Sequence, residues 1–176
     1  MNMKSLSIKA YLHTLSSIIK EPKKFFRNLP ENSDLKSPLS FLAVSLAIST
    51  VVFITGSSFQ ASPEAAAVYF INAAVMSTAA SMALFAALKF FLFKNVKLKK
   101  CFSLFAYSAG ATVIAAGVPF LLWMTEIWKW WLVGVGINQN LKIKPILSFI
   151  AVVLSIALVI STFASILYIT GQIIQN

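Results

Sequence analysis

Charge and catalytic side chains are scarce in this chain. Only 11% of its 176 residues are charged, against about a quarter in soluble domains. There are five acids, one histidine (His13) and one cysteine (Cys101). A zinc cluster needs several His or Cys at fixed spacing, and a Ser-His-Asp set needs a histidine near a nucleophile. Neither pattern occurs, so the expectation is a protein without a catalytic, metal or cofactor site. The lone cysteine excludes an internal disulfide. Six glycines and six prolines are dispersed, and no glycine-rich phosphate loop forms.

Apolar residues fill the rest. They make up 59% of the chain, and mean hydropathy is +0.82. A chain of this length needs no such apolar surplus for its core, but a bilayer does. The composition therefore points to a polytopic membrane protein and excludes a disordered tail. The formal net charge is +10. The basic residues lie between the apolar runs, which points to membrane topology and anionic phospholipids, not nucleic acid.

A transmembrane helix needs roughly 20 apolar residues. Four runs qualify: residues 39–55, 65–93, 102–120 and 146–170. Proline stands before three of them, at Pro38, Pro63 and Pro145. A further segment, 121–137, contains Glu126, Lys129 and all four tryptophans, Trp123, Trp128, Trp130 and Trp131. A charge at the bilayer centre costs about 3 kcal/mol, and tryptophan prefers the interface. This places Glu126 and Lys129 at a turn near one surface. Ile127 to Ile137 then returns across, although it is only about 17 Å long as a helix.

Positive charge orients the chain. With five spans and a cytoplasmic N-terminus, the inside segments carry fourteen Lys or Arg and the outside segments carry one, Lys129. That asymmetry fits the positive-inside rule. The expected architecture is all-α: a five-helix transmembrane bundle over residues 38–176, with the C-terminus outside. Residues 1–37 form a cytoplasmic amphipathic and basic segment. No cleavable signal peptide is expected.

Within that segment, Leu6, Ile8, Tyr11, Leu12, Leu15, Ile18 and Ile19 recur at helical spacing, with Lys4, Lys9, His13 and Lys20 off the stripe. This predicts an amphipathic helix lying in the cytoplasmic interface, ended at Glu21-Pro22. A basic and aromatic patch follows: Lys23, Lys24, Phe25, Phe26 and Arg27. It is a candidate contact for lipid or a partner protein, or else a lateral anchor for the first span. Lys97, Lys99 and Lys100 form a second candidate contact.

Four stretches resemble the Yip domain family, five-span membrane proteins named for binding Ypt/Rab GTPases in eukaryotes. These are Ile18-Ile19-Lys20-Glu21-Pro22-Lys23-Lys24-Phe25-Phe26, Ala106-Tyr107-Ser108, Gly117-Val118-Pro119, and Ile127 to Ile137 with its terminal glycine. The family commonly has proline a few residues after the tyrosine-serine pair, where Ala109-Gly110-Ala111 stands here. The short form and the fourteen lysines against one arginine resemble bacterial or archaeal members. The resemblance implies a cytoplasmic membrane protein of five spans, with no established activity.

Two functions follow as expectations. The first is a scaffold or adaptor that organises lipids or partner proteins, in the membrane or the cytoplasm, through its basic surfaces. The second is a small oligomeric transporter or channel for an ion or solute. Its polar residues would be Asn72, Tyr107, Ser108, Glu126 and Lys129. Asn72 needs a hydrogen-bond partner within lipid, expected on another helix. Glu126 and Lys129 are three apart and so share a helix face.

Overall fold

The computed structural model describes residues 7–30, 34–56, 62–116 and 121–175. Among these the chain is helical, with no strand. The helices are α1 (Ile8–Lys20), α2 (Pro22–Arg27), α3 (Lys36–Gly56), α4 (Pro63–Ala86), α5 (Leu98–Ala116), α6 (Leu122–Asn140) and α7 (Pro145–Gln175). A π-helical turn, Ala87–Phe91, extends α4.

Three helices are long and apolar enough to cross a membrane: Lys36–Gly56, Pro63–Phe91 and Pro145–Tyr168. At most a third of each is buried within the protein. Their outer faces present residues such as Val68, Ile71, Phe149 and Leu167. An apolar surface this extensive needs hydrocarbon around it. The chain is an integral membrane protein by this architecture.

α5 is the hub, packed against α1, α3, α4 and α6. Cys101 and every residue from Ser103 to Thr112 is buried. A helix enclosed on all sides meets protein instead of lipid, so it needs small, closely packing residues more than lipophilic ones. This explains its serines, alanines and glycine, and its lower hydropathy. α3 meets it with one stripe: Phe41, Leu42, Ser45, Leu46 and Ser49 are buried. α4 contributes Ser77, Ala80, Ser81 and Leu84. The α4 serines bond their own helix, Ser77 to the Ala73 carbonyl and Ser81 to the Ser77 carbonyl. They serve packing and form no polar path.

Two sequence expectations change. No turn forms around Glu126: α6 begins at Leu122 and carries Glu126 and Lys129 inside it. It also runs on to Asn140, so its 19 residues span about 28 Å. Side-chain pairing lets the helix continue, because Lys129 Nζ lies 2.5 Å from Glu126 Oε1. The second change concerns α5, which starts at Leu98, four residues before the expected apolar run, and so includes Lys99 and Lys100.

α1 forms where periodicity places it, and its apolar arc is divided. Tyr11 and Ile18 are buried, whereas Ile8, Leu12 and Ile19 are exposed. On a helical wheel the second group lies beside the first, with Lys9, Lys20 and His13 beyond it. One edge of the arc therefore docks on the bundle, and the other edge stays open beside basic residues.

Candidate functional site

The basic segments gather at one end of the bundle. α2 lies against the C-terminal end of α6: Arg27 donates from Nε and Nη2 to Gln139 Oε1 at 3.2 and 2.8 Å. Asn140 donates through Nδ2 to the carbonyls of Phe26 and Leu29, at 2.9 and 3.0 Å. One carbonyl is in the last turn of α2 and the other lies just beyond it, so a single side-chain amide bridges the end of that short helix. Periodicity gave no sign of this clamp. The Asn138-Gln139-Asn140 run is its only sequence signal.

Phe26 is fully buried and therefore is not a lipid or partner contact. It fills space beside Gly136, where an added Cβ would meet its ring at 3.3 Å and Leu104 at 3.1 Å. Phe25 is half-buried and meets Tyr107 edge-on, with ring centroids 5.2 Å apart. Tyr107 also packs on Phe41, and Phe41 packs on Tyr11. Tyr11 shares a buried hydrogen bond of 3.0 Å with Ser45. Burial pushes the Tyr11 phenol above its ordinary pKa, and that hydrogen bond works against the shift.

Of the patch, Lys23, Lys24 and Arg27 remain exposed. Lys24 pairs with Glu21 at 2.9 Å, a fully solvated pair of little energetic weight. Lys23 borders a groove of about 740 Å³ between α6 and α7. Trp123, Ile127, Trp131 and Phe149 form its outer walls and are themselves exposed, so it opens where hydrocarbon would lie.

Lys97 and Lys100 line a separate cleft of about 310 Å³ with Lys94 and Lys142. Lys99 is exposed and does not line it. Lys94 belongs to the basic loop from Lys89 to Lys100 that the sequence offers as a contact surface, whereas Lys142 comes from a separate loop after α6.

The five intramembrane polar residues do not come together. Asn72 is on the exposed face of α4, away from the helix contact expected for it. Ser108 is buried and bonds the Leu104 carbonyl of its own helix. Tyr107 is enclosed by Phe25 and Phe41. Glu126 and Lys129 pair with each other, and the Lys129 ammonium lies 5.8 Å from the Phe105 ring and 5.9 Å from the Trp130 ring. Of the five, Glu126 alone borders the α6–α7 groove.

The residues that carried the family resemblance thus converge on one junction: Phe25 and Phe26, Tyr107, and the glycine of α6. Gly117-Val118-Pro119 lies outside the described residues. The Yip1 domain model matches residues 16–166 of this chain. The chain belongs to the Yip1 domain family. Neither a curated protein nor a solved structure matches it. Its Yip1 domain takes in α2 to α6 and most of α7. Among the described residues, the motifs by which it resembles its family hold helices together at the basic end.

Proposed function

We propose that this Yip1 domain protein is a non-catalytic membrane scaffold or adaptor. Its basic end would contact anionic phospholipid and a membrane or cytoplasmic protein partner. The observation that carries this reading is the gathering of α2, the 92–97 loop and the 141–144 loop at one end of an apolar bundle. Those segments hold Lys23, Lys24, Arg27, Lys94, Lys97, Lys142 and Lys144. The positive-inside rule makes that end cytoplasmic. With α5 and α6 as crossings there are five spans, an internal N-terminus and an external C-terminus. The setting that suits this form is a bacterial or archaeal cytoplasmic membrane.

Exposed Lys23, Lys24 and Arg27, together with Lys97, Lys99 and Lys100, are the contact residues of this reading. Replacing all six with glutamine should abolish co-purification of a protein partner and weaken binding to vesicles containing anionic lipid. Unchanged association on both counts would overturn the reading. Membrane-impermeant thiol labelling tests the topology in a Cys101→Ser background. Lys142→Cys should label only from the cytoplasmic side, and Glu64→Cys only from outside. The reverse pattern, or labelling of both from one side, would refute five spans in this orientation.

A further inference from the structure

The cleft between the 94–97 segment and the α6–α7 loop gathers charge from three places in the chain. Lys94 and Lys97 come from the loop after α4, Lys100 from the first turn of α5, and Lys142 from the loop after α6. None of its lining residues is acidic. None of these four lysines forms an ion pair among the described residues. Four uncompensated ammonium groups repel one another, so holding them around one hollow costs stability unless an anion joins them.

The backbone around the cleft is also constrained. Phe93 and Lys142 are the non-glycine residues with positive φ among those described, at 50° and 54°. One immediately precedes Lys94 and the other lines the cleft. Side chains with a Cβ resist this conformation, and such residues persist where surrounding structure holds them. Here the Lys94 amide donates to the Leu88 carbonyl at 2.8 Å, closing the end of the π turn. Asn138 Nδ2 donates to the Ile143 carbonyl at 2.7 Å, holding the second loop. The first turn of α5, which carries Lys100, opens on the same hollow, and the positive end of the helix dipole adds to the potential there.

Position selects the ligand. Phe90, Phe91 and Phe93 are exposed at the end of α4, and Ile146 is exposed at the start of α7. The cleft thus has an apolar fringe next to a basic floor. A soluble anion has no use for that fringe, but the glycerol backbone and upper acyl chain of a lipid do. We propose that this cleft binds the phosphate headgroup of an anionic phospholipid, one per chain, and prefers a phosphomonoester to a phosphodiester. A monoester carries up to two charges and three acceptor oxygens, which suits several ammonium donors. The inference deepens the lipid-contact part of the adaptor reading and rests on it.

The test uses the full chain in phosphatidylcholine nanodiscs doped with phosphatidic acid or phosphatidylglycerol, with bound lipid counted by native mass spectrometry. One phosphatidic acid per chain should bind saturably and ahead of phosphatidylglycerol. Lys94→Gln/Lys142→Gln should weaken it about 30-fold, from about fivefold per lysine. Lys94→Arg/Lys142→Arg should retain binding, which shows that charge and not a folding defect is read. Lys9→Gln/Lys20→Gln removes the same charge outside the cleft and should change binding less than twofold. Equal weakening by the two glutamine pairs would overturn the cleft while leaving a diffuse lipid-binding adaptor standing. Loss of any anionic-lipid preference in the unaltered chain would overturn the lipid part of both. Displacement of the lipid by equimolar glycerol phosphate would overturn the lipid assignment in favour of a soluble phosphate compound.

Discussion

Gly110 on α5 abuts Phe41 on α3 so closely that a Cβ there would lie 2.8 Å from both Cδ1 and Cε1 of the ring. Ser45 Oγ would lie at 3.2 Å. Phe41 cannot swing aside easily, because Tyr11 and Tyr107 pack against it and it is fully buried. The glycine sets the approach of the central helix to its main neighbour, in the manner of small residues at membrane helix crossings.

Gly110→Ala should therefore destabilise the bundle. Overpacking costs about 1–3 kcal/mol, and the gain in helix propensity offsets about 1 kcal/mol of it. Gly134 is the control, because a Cβ there would make an ordinary 3.7 Å contact with Val152. Gly134→Ala should be neutral or stabilising. Thermal unfolding midpoints in one detergent would compare the two. Equal midpoints would show that the α3–α5 crossing has room to relax.

Asn140 fastens α2 through two carbonyls, and Asn140→Ala removes both bonds. Leaving such groups unsatisfied costs about 1–3 kcal/mol, and the local consequence is release of α2. Trypsin cuts after Lys23, Lys24 and Arg27, so the rate of N-terminal cleavage reads that release. It should rise several-fold in Asn140→Ala while the transmembrane core survives. An unchanged rate would mean that Phe26 and the Arg27–Gln139 hydrogen bonds suffice to hold the segment.

Glu126 and Lys129 form a pair whose cation is largely shielded and whose carboxylate is 44% exposed. Partial exposure limits the coupling to about 1 kcal/mol. A double-mutant cycle with Glu126→Gln and Lys129→Gln should show the double variant to be less destabilised than the sum of the singles. Strict additivity would show that the two charges act independently.

Much of this architecture was written in the apolar pattern. Residues that face lipid are predominantly apolar, so long apolar runs mark α3, α4 and α7, and proline stands near the start of each. The 3.6-residue period marks α1, because its polar face has to reach water. The same reasoning opened a segment at residue 121, beside the start of α6 at Leu122, but put a turn around Glu126. A charge in an apolar run reads as a break, and only a partner three residues away, packed against Phe105 and Trp130, shows how the helix carries it.

The candidate site was less legible. A run such as Lys23 to Arg27 reads as one surface patch, but folding divides it: Phe26 goes into the core, Arg27 onto Gln139, and Lys23 to the rim of a groove. Asn72 and Ser108 look alike in sequence as polar residues within spans. One stays on an outer face and the other bonds its own helix. Such outcomes depend on which helix stands opposite, and one-dimensional spacing carries no information about that.

The sequence by itself determined the solvent, the helical class and the charged end, because transfer free energy and charge placement act residue by residue. The tertiary structure decided that Phe26 meets Gly136 and Phe25 meets Tyr107, and that Lys94, Lys97, Lys100 and Lys142 share one cleft. Those relationships join residues about 40 to 110 positions apart. They are set by side-chain volume and by the few geometries in which the helices can pack, so they exist only once the helices have packed.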